Sequence, residues 1–347
     1  QQALDASRSA LKKVMERLVE KGRVKVDEAK AIQNRFTYAT EINAFADCGL
    51  VIEAVIEDLA IKKQLFEQLG STVGPNAILA TNTSSLSVTS IAAACKLPER
   101  VIGLHFFNPA PLLPLVEVVP GLATHEQHTK ACVALMKAWG KTPVIAKDTP
   151  GFIVNRVARP FYGEALRIHE EGIADMATID HAMKTVGGFK MGPFELMDLI
   201  GNDINFAVTS SVFKAFFYDP RYRPSLTQQR MVEANWLGRK TGRGYYDYST
   251  DASLPEPKTD RDLHQMIVDR IVVMLINEAV DALQLGIASK EDLDLAMTKG
   301  VNYPKGLLQW AQEKGYANCL SQLEALQSEY GEDRYRPSPL LKKLANS

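Results

Sequence analysis

Apolar residues recur at helical spacing at the start of the chain. Between residues 4 and 19 they share one face, with lysines and arginines opposite, and a second helical stretch spans about residues 26–36. The apolar positions of the first stretch are Leu4, Leu11, Val14, Met15 and Leu18. The pattern predicts a helical hairpin with a basic outer face. That face is either solvated surface or a binding surface for a phosphorylated cofactor.

Short β-rich runs alternate with helical stretches after this hairpin. The runs lie at residues 48–55, 77–81, 101–107, 115–119 and 143–147. The helical stretches between them lie at residues 61–69, 87–94 and 125–139. Alternation in units this short predicts the later part of an α/β doubly wound sheet, mostly parallel and covered on both faces. Its ligand crevice is then expected beyond the carboxyl ends of the strands.

Long helical patterns take over after a turn-forming cluster at residues 148–151. Residues 249–262 are rich in Pro, Asp and Thr, which indicates a linker. The helical segments on either side of it repeat at a constant offset. The matched pairs are Glu164 with Glu278, Gly172 with Gly286, Asp180 with Asp294 and Gly192 with Gly306. A fixed register predicts an internal duplication whose second copy packs on the first. The expected domains are residues 1–148, 149–249 and 250–347.

Composition narrows the class of protein. With 46% hydrophobic and 23% charged residues, the chain is an ordinary globular one. Its formal net charge of -1 gives no general attraction to nucleic acid or an anionic membrane, and no apolar run is long enough to span one. The four cysteines are scattered without metal-ligand spacing. They are expected to be reduced thiols in a cytoplasmic protein, since disulfides are typical of secreted ones.

His105 and Glu117 are the first candidates for chemistry. His105 stands where an apolar strand meets an aromatic and proline-containing loop, and Glu117 interrupts an otherwise buried strand. A buried carboxylate needs a partner, and the adjoining strand offers His105. A carboxylate on one imidazole nitrogen fixes the tautomer and makes the other nitrogen a better base, as required to remove a proton from an alcohol. A purely structural pair is the alternative.

Two further polar sites lie near the same sheet edge. Residues 81–85 (TNTSS) follow an apolar strand, where they suit a hydroxyl or carbonyl ligand. They would equally suit the N-cap of the helix that follows. Asn155 is a polar residue in the first turns of an apolar helix and can aim its amide at the crevice. Whether it does so is left open by the sequence.

Six segments taken together resemble the 3-hydroxyacyl-CoA dehydrogenase family, in family order and over nearly the whole chain. The segments are VIEAVIE at 51–57, TNTSS at 81–85, GLHFFNP at 103–109, LVEVV at 115–119, PGFIVNR at 150–156 and GRKTGRG at 238–244. The resemblance implies a Rossmann-like sheet followed by all-α duplicated C-terminal domains. It also implies oxidation of an (S)-3-hydroxyacyl-CoA to the 3-ketoacyl-CoA, with NAD as cofactor and no metal.

The resemblance also implies roles for single residues. His105 would be the general base and Glu117 its orienting partner, with Ser84 and Asn155 bonding the substrate oxygens. The residues implied to contact the nicotinamide cofactor are Glu57, Lys62, Asn108 and Lys240. The N-terminal hairpin is similar to the part of the family that touches coenzyme A.

The duplicated helical region narrows the resemblance to bacterial members with two C-terminal domains in one chain. The closing EYGEDRYRP at 329–337 is similar to members of phenylacetate breakdown, which implies 3-hydroxyadipyl-CoA or 3-hydroxybutyryl-CoA as substrate. Asp269 stands opposite Asn155 in the second copy, so only the first copy is expected to contribute to catalysis. The second is expected to take the place of a partner subunit's helical domain. A homodimer is a further candidate, and the oligomeric state is left open.

The chain departs from the family pattern at its start, since it contains no GxGxxG phosphate loop. The first βαβ unit is therefore expected to be absent from this sequence, either because the polypeptide is longer or because it is truncated. Loss of the loop would weaken NAD binding. A truncated, non-catalytic module for acyl-CoA binding or assembly is thus the alternative function. A β-hydroxyacid dehydrogenase without CoA is disfavoured, because such enzymes typically use a catalytic lysine.

Overall fold

The computed structural model describes residues 2–253 and 255–347. Gln1 lies outside the described residues, as does Leu254 within the predicted linker. The predicted helical hairpin is confirmed as α1 (Gln2–Glu20) and α2 (Val26–Asn34). Its helices are joined through Gly22, whose φ of 65° lies in the left-handed region that glycine tolerates best.

A five-stranded sheet follows the hairpin. Its strands are β1 (Leu50–Glu53), β2 (Ile78–Thr81), β3 (Val101–Phe106), β4 (Leu115–Pro120) and β5 (Thr142–Ile145), paired in sequence order. The sheet is mixed, because β4 runs antiparallel to β3 whereas the other neighbours are parallel. The expectation of a doubly wound, mostly parallel sheet therefore fails at this pair. Residues 107–114 alone connect the two strands, too short a segment for the crossover that a parallel pair needs.

Helices cover both faces of this sheet, as predicted. They are α3 (Leu59–Thr72), α4 (Val88–Ala92) and α5 (Glu126–Ala138). Alternate strand residues point to opposite faces, so Leu79 packs with Phe66 in one apolar cluster while Ala80 packs with Met136 in another. All four cysteines are free, and no helix within residues 2–253 and 255–347 is apolar over a long enough span to cross a bilayer.

The rest of the described chain is helical, with short 3-10 turns. Its first part contains α6 (Val154–Val157), α7 (Arg159–Glu170), α8 (Met176–Thr185), α9 (Pro193–Ile200), α10 (Asn202–Ala215) and α11 (Leu226–Glu233). Its second part contains α12 (Arg261–Gln284), α13 (Lys290–Gly300), α14 (Leu307–Lys314), α15 (Tyr316–Tyr330) and α16 (Pro339–Ala345). The 3-10 turns of this region are Pro220–Tyr222, Arg239–Thr241 and Asp333–Tyr335, and two earlier ones, Ile42–Phe45 and Pro98–Arg100, precede β1 and β3. The predicted linker ends at Asp260, whose carboxylate caps α12.

The two helical copies repeat the same local contacts. Asp180 accepts two backbone N–H bonds, of 2.9 and 2.8 Å, from the first turn of α9. Asp294 accepts two, of 2.8 and 3.0 Å, from the first turn of α14. A Cβ on Gly192 would overlap Asp180, and one on Gly306 would overlap Asp294. The predicted duplication is therefore visible in side-chain detail.

Reciprocal ion pairs join the copies, with each buried carboxylate bound by the opposite copy. Arg156 donates from Nε to Glu278 over 2.6 Å, and Arg270 donates from Nε to Glu164 over 3.1 Å. An arginine of each copy thus binds a glutamate of the other, which is the reciprocal pattern of a twofold interface. The second copy packs on the first as expected, with the long helix α12 lying against α7.

Substitution of Glu278 measures how much this interface contributes to the stability of the fold. Burial alone would raise the pKa of Glu278, but the guanidinium groups of Arg156 and Arg221 hold that pKa below its ordinary value. We predict that Glu278→Ala, which leaves both cations buried without it, lowers the free energy of unfolding by about 3–5 kcal/mol. Urea denaturation followed by circular dichroism measures this loss.

The pH dependence of the stability loss in Glu278→Ala and a variant of an exposed ion pair are the controls. Because the pKa of Glu278 is lowered in the folded state, its contribution is lost as the pH falls. The difference between wild type and Glu278→Ala should thus shrink below about pH 4. Glu126→Ala, which breaks the exposed pair with Lys130 on α5, should leave the urea midpoint unchanged. Equal midpoints for both variants would refute the interface argument.

Candidate active site

The register of β3 and β4 places His105 directly opposite Glu117. Nδ1 of His105 and Oε2 of Glu117 lie 2.6 Å apart, and both side chains are buried. The predicted pairing of the two residues is therefore confirmed. Nε2 is the ring nitrogen left for a ligand, since Nδ1 is taken by the carboxylate.

Glu117 also ties the sheet to the first helical copy. Its Oε1 accepts the backbone N–H groups of Ile153, over 3.0 Å, and Val154, over 2.9 Å, at the start of α6. Three hydrogen-bonding groups thus surround a carboxylate with no exposed surface. Such saturation is what makes a charge tolerable in the interior.

Two aromatic rings fix the imidazole from the sides. The ring centroid of Phe107 lies 4.5 Å from that of His105, and the centroid of Phe152 lies 6.0 Å away. Phe107 belongs to the β3–β4 connection and Phe152 to the segment before α6. The imidazole is therefore held by both parts of the molecule.

A cavity of about 380 Å³ opens beside His105, a size typical of small-molecule sites. Its polar lining residues are Glu57, Lys62, Asn82, Ser84, His105, Asn108 and Asn155. Nδ2 of Asn155 donates to the backbone oxygen of Ser84 over 3.3 Å, which joins the helical copy to the loop after β2. The structure thus brings together all of the predicted site residues except Glu117, which lies behind His105, and Lys240.

Lys240 is the residue that the structure places elsewhere. Its ammonium lies 2.5 and 2.7 Å from the two carboxylate oxygens of Asp203, at the start of α10, and the side chain is partly exposed. Lys240 does not line the cavity in this structure, and its contact with the cofactor stays a prediction. The physical reason is the nearby carboxylate, which pairs with the ammonium.

The loop at residues 81–85 is organised by a carboxylate rather than by helix capping. Oε1 of Glu57 accepts the Thr83 hydroxyl over 2.5 Å, and the Ser84 N–H and Ser85 hydroxyl over 3.1 Å each. The capping explanation for this loop is wrong, because Ser87 supplies the side-chain cap of α4. Of the hydroxyl-bearing residues in this loop, Ser84 lines the cavity, whereas the Thr83 and Ser85 hydroxyl groups bind Glu57.

Charge around Glu57 favours its ionised form. Burial would raise the pKa of Glu57, but the hydrogen bond from Thr83 and the ammonium of Lys62 lower the pKa below its ordinary value. The Lys62 ammonium lies 3.2 Å from Glu57 and 2.5 Å from Glu53, and its side chain is only 1% exposed. Glu57 is thus an anionic acceptor at the cavity edge.

Two residues of this region were given no individual role by the sequence. Oδ1 of Asn82 accepts the backbone N–H of Phe106 over 2.8 Å, which holds the end of β3 beside the loop after β2. Glu53 is buried at the end of β1. The argument applied to Glu117 would have singled out Glu53, since it is also a carboxylate that interrupts an apolar run.

Comparison with known proteins identifies the class. A sequence model described as "3-hydroxyacyl-CoA dehydrogenase, NAD binding domain" matches residues 1–149. The model of the C-terminal domain of the same family matches residues 151–248 and 266–347. The fold is thus that of a nicotinamide-dependent dehydrogenase. The chain belongs to the 3-hydroxyacyl-CoA dehydrogenase family, whose reaction is the NAD-dependent oxidation of 3-hydroxyacyl-CoA.

Individual relatives agree with this assignment. The 3-hydroxyadipyl-CoA dehydrogenase of Escherichia coli (strain K12) is 41% identical, over 94% of this chain and 87% of that protein. A crystal structure of 3-hydroxybutyryl-CoA dehydrogenase from Escherichia coli K12 has a TM-score of 0.95 at 39% identity, covering 100% of this chain and 91% of that one. An (S)-3-hydroxybutyryl-CoA dehydrogenase from Ralstonia eutropha has a TM-score of 0.70 at 38% identity, covering 72% and 88%.

The cavity suits the nicotinamide end of NAD. It lies at the carboxyl ends of β1 and β2, where dinucleotides bind in open sheets of this kind. Glu57 offers a carboxylate for ribose hydroxyl groups, and Asn82 and Asn108 offer amides for a carboxamide. These residues fit the ribose hydroxyl groups and the carboxamide of the cofactor.

Glu117 provides a test of the site that is independent of turnover. Glu117→Gln replaces one accepting oxygen by an NH2 donor, so either His105 or the two backbone groups of Ile153 and Val154 lose an acceptor. We predict that the free energy of unfolding falls by about 1–3 kcal/mol. Amide hydrogen exchange at residues 153 and 154 should quicken as well.

Mass-spectrometric hydrogen exchange and thermal unfolding measure both effects. Glu67→Gln, on the exposed side of α3, makes the same chemical change where nothing buried depends on it. It should match wild type in both measurements. If Glu117→Gln also matched wild type, Glu117 would not join the sheet to the helical copy as described.

Proposed function

We propose that the cavity beside His105 is where this enzyme oxidises its 3-hydroxyacyl-CoA. The observation that carries the proposal is the buried His105–Glu117 pair on the wall of a cavity lined by Ser84 and Asn155. An imidazole held at Nδ1 by a carboxylate presents Nε2 as a proton acceptor of fixed orientation.

Oxidation of the alcohol removes a proton and a hydride. His105 Nε2 takes the proton of the 3-hydroxyl group, and Glu117 stabilises the imidazolium that forms. The carbon–oxygen double bond forms as carbon 3 loses its hydride, for which NAD, when bound, would be the acceptor. In the reverse direction His105 returns the proton to the forming alcohol.

Ser84 and Asn155 are proposed to bond the reacting oxygen. The Ser84 loop and the Asn155 amide are adjacent, since Asn155 Nδ2 reaches the Ser84 carbonyl over 3.3 Å. A substrate that enters between them can accept from the serine hydroxyl and from the amide. Donors fixed in advance stabilise charge on the oxygen as the carbonyl forms.

Glu57, Lys62 and Asn108 are proposed to contact the cofactor directly or through a neighbour. The carboxylate of Glu57 is partly exposed at the cavity edge and accepts hydroxyl donors. Lys240 stays a prediction from the resemblance, since reaching this cavity requires release of Asp203. The basic N-terminal hairpin is proposed to receive the phosphates of coenzyme A.

Each of the three expected domains is proposed to have its own role. The domains are residues 1–148, 149–249 and 250–347. The first unit holds NAD, the second completes the site through Asn155, and the third replaces a partner subunit's helical domain. The reciprocal pairs of Arg156 with Glu278 and Arg270 with Glu164 support that replacement. A homodimer and a cytoplasmic location stay predictions.

His105→Gln tests the general base. We predict a fall in kcat of roughly 10²–10⁴-fold, because glutamine cannot accept the proton. Binding of NADH should stay within a few-fold of wild type. Stopped-flow reduction of a 3-ketoacyl-CoA by NADH measures the first quantity and fluorescence titration the second.

The matched control is His125→Gln, an exposed histidine next to the start of α5. It should turn over at the wild-type rate. Retained turnover in His105→Gln would refute the assignment of the base. Absence of turnover in wild type with intact acyl-CoA binding would favour the non-catalytic module instead.

The acyl group is proposed to be 3-hydroxyadipyl, with 3-hydroxybutyryl as the alternative. The support is the E. coli relative of the former name, which matches 94% of this chain. We predict a severalfold higher kcat/KM for 3-hydroxyadipyl-CoA than for 3-hydroxybutyryl-CoA, measured under the same conditions. A higher value for the shorter substrate would reverse this choice.

A further inference from the structure

A buried ion pair lies beneath the loop that carries Ser84. Glu53 ends β1 and Lys62 lies in the first turns of α3, with Nζ of the lysine 2.5 Å from Oε1 of the glutamate. Both side chains are only 1% exposed. Desolvation makes such a pair costly unless its remaining groups are satisfied, so its other contacts decide what it does.

Glu53 is bonded to the end of β2 as well as to α3. Its Oε2 accepts the Thr81 hydroxyl over 2.7 Å, and its Oε1 also accepts the Val55 N–H over 2.7 Å. The Thr81 oxygen in turn accepts the backbone N–H of Thr83 over 3.3 Å. One route from Glu53 therefore runs along the chain into the loop.

A second route passes through the ammonium of Lys62. That group lies 3.2 Å from Glu57, which binds the loop at Thr83, Ser84 and Ser85. Both routes converge on residues 83–85. Among the described residues, Glu57, Lys62 and Ser84 line the cavity, whereas Glu53 lies behind them.

We infer that Glu53 is a positioning residue of the active site, setting the placement of Ser84 and Glu57 through Thr81 and Lys62. This inference rests on the proposed function in so far as Ser84 meets substrate and Glu57 meets cofactor. The buried pair thus orders the wall of the cavity, and Lys62 acts mainly by holding Glu57 in place. A merely structural pair would add stability to β1 and α3 without affecting the loop.

The experiment compares Glu53→Ala with the conservative Glu53→Gln in the full chain. Hydrogen exchange at residues 83–86 reports the loop without need of turnover, and KM and kcat report its use. In Glu53→Ala we expect this exchange to quicken about tenfold or more, and KM for NADH and for the acyl-CoA to rise about tenfold with a smaller change in kcat.

Glu53→Gln should restore most of the wild-type behaviour. Its carboxamide oxygen can accept from Lys62 and Val55, while its NH2 group donates to the Thr81 hydroxyl. Thr81→Val is the second test if Glu53→Ala fails to fold, because it breaks only the first route. It should shift exchange in residues 83–86 in the same direction by a smaller factor.

Glu164→Gln serves as the control for a lost buried charge far from the loop. It removes the negative charge that pairs with Arg270 and should lower the unfolding midpoint with wild-type exchange at residues 83–86. Wild-type exchange and KM in folded Glu53→Ala or Thr81→Val would overturn the inference, as would equal effects of Ala and Gln at position 53. Failure of the proposed function would show differently, as no turnover in wild type while the exchange differences persist.

Discussion

A fully buried carboxylate, Glu117, is the constraint on which the active site depends. A charge without exposed surface must be surrounded by donors, and here they come from two parts of the molecule. His105 reaches it from the neighbouring strand, and the backbone of Ile153 and Val154 reaches it from the start of α6. The sheet and the first helical copy therefore meet in one arrangement, with Asn155 beside Ser84 as a consequence.

The second helical copy also holds α6 in place through buried charges. Arg156 follows Asn155 in the chain, and its guanidinium is bound by Glu278 and Asp281 of the second copy. The short helix α6, which carries Asn155, is thus bound to the sheet at its start and to the second copy through Arg156. The second copy, which has Asp269 where the first has Asn155, can in this way support the site that the sheet and the first copy form.

Sequence reasoning succeeded where burial left few choices. A carboxylate inside an apolar strand required a partner, and the next strand held one histidine, so the pair could be predicted without coordinates. It failed where several partners competed. The hydroxyl groups of residues 81–85 suited a helix cap as well as a ligand. Only the structure showed that Glu57 binds those of Thr83 and Ser85, while Ser84 lines the cavity. The cofactor contact that the resemblance implied for Lys240 stays a prediction, since its ammonium pairs with Asp203 here.

The sequence by itself determined the alternation of strands and helices, the duplication and the His105–Glu117 pair, because periodicity and the cost of buried charge are local properties of the chain. Tertiary structure alone decided the antiparallel course of β4, the crossed pairs between the copies and the convergence of Glu53, Lys62 and Glu57 on one loop. These depend on which distant segments come together, and equally favourable local partners leave that choice to the packing of the whole molecule.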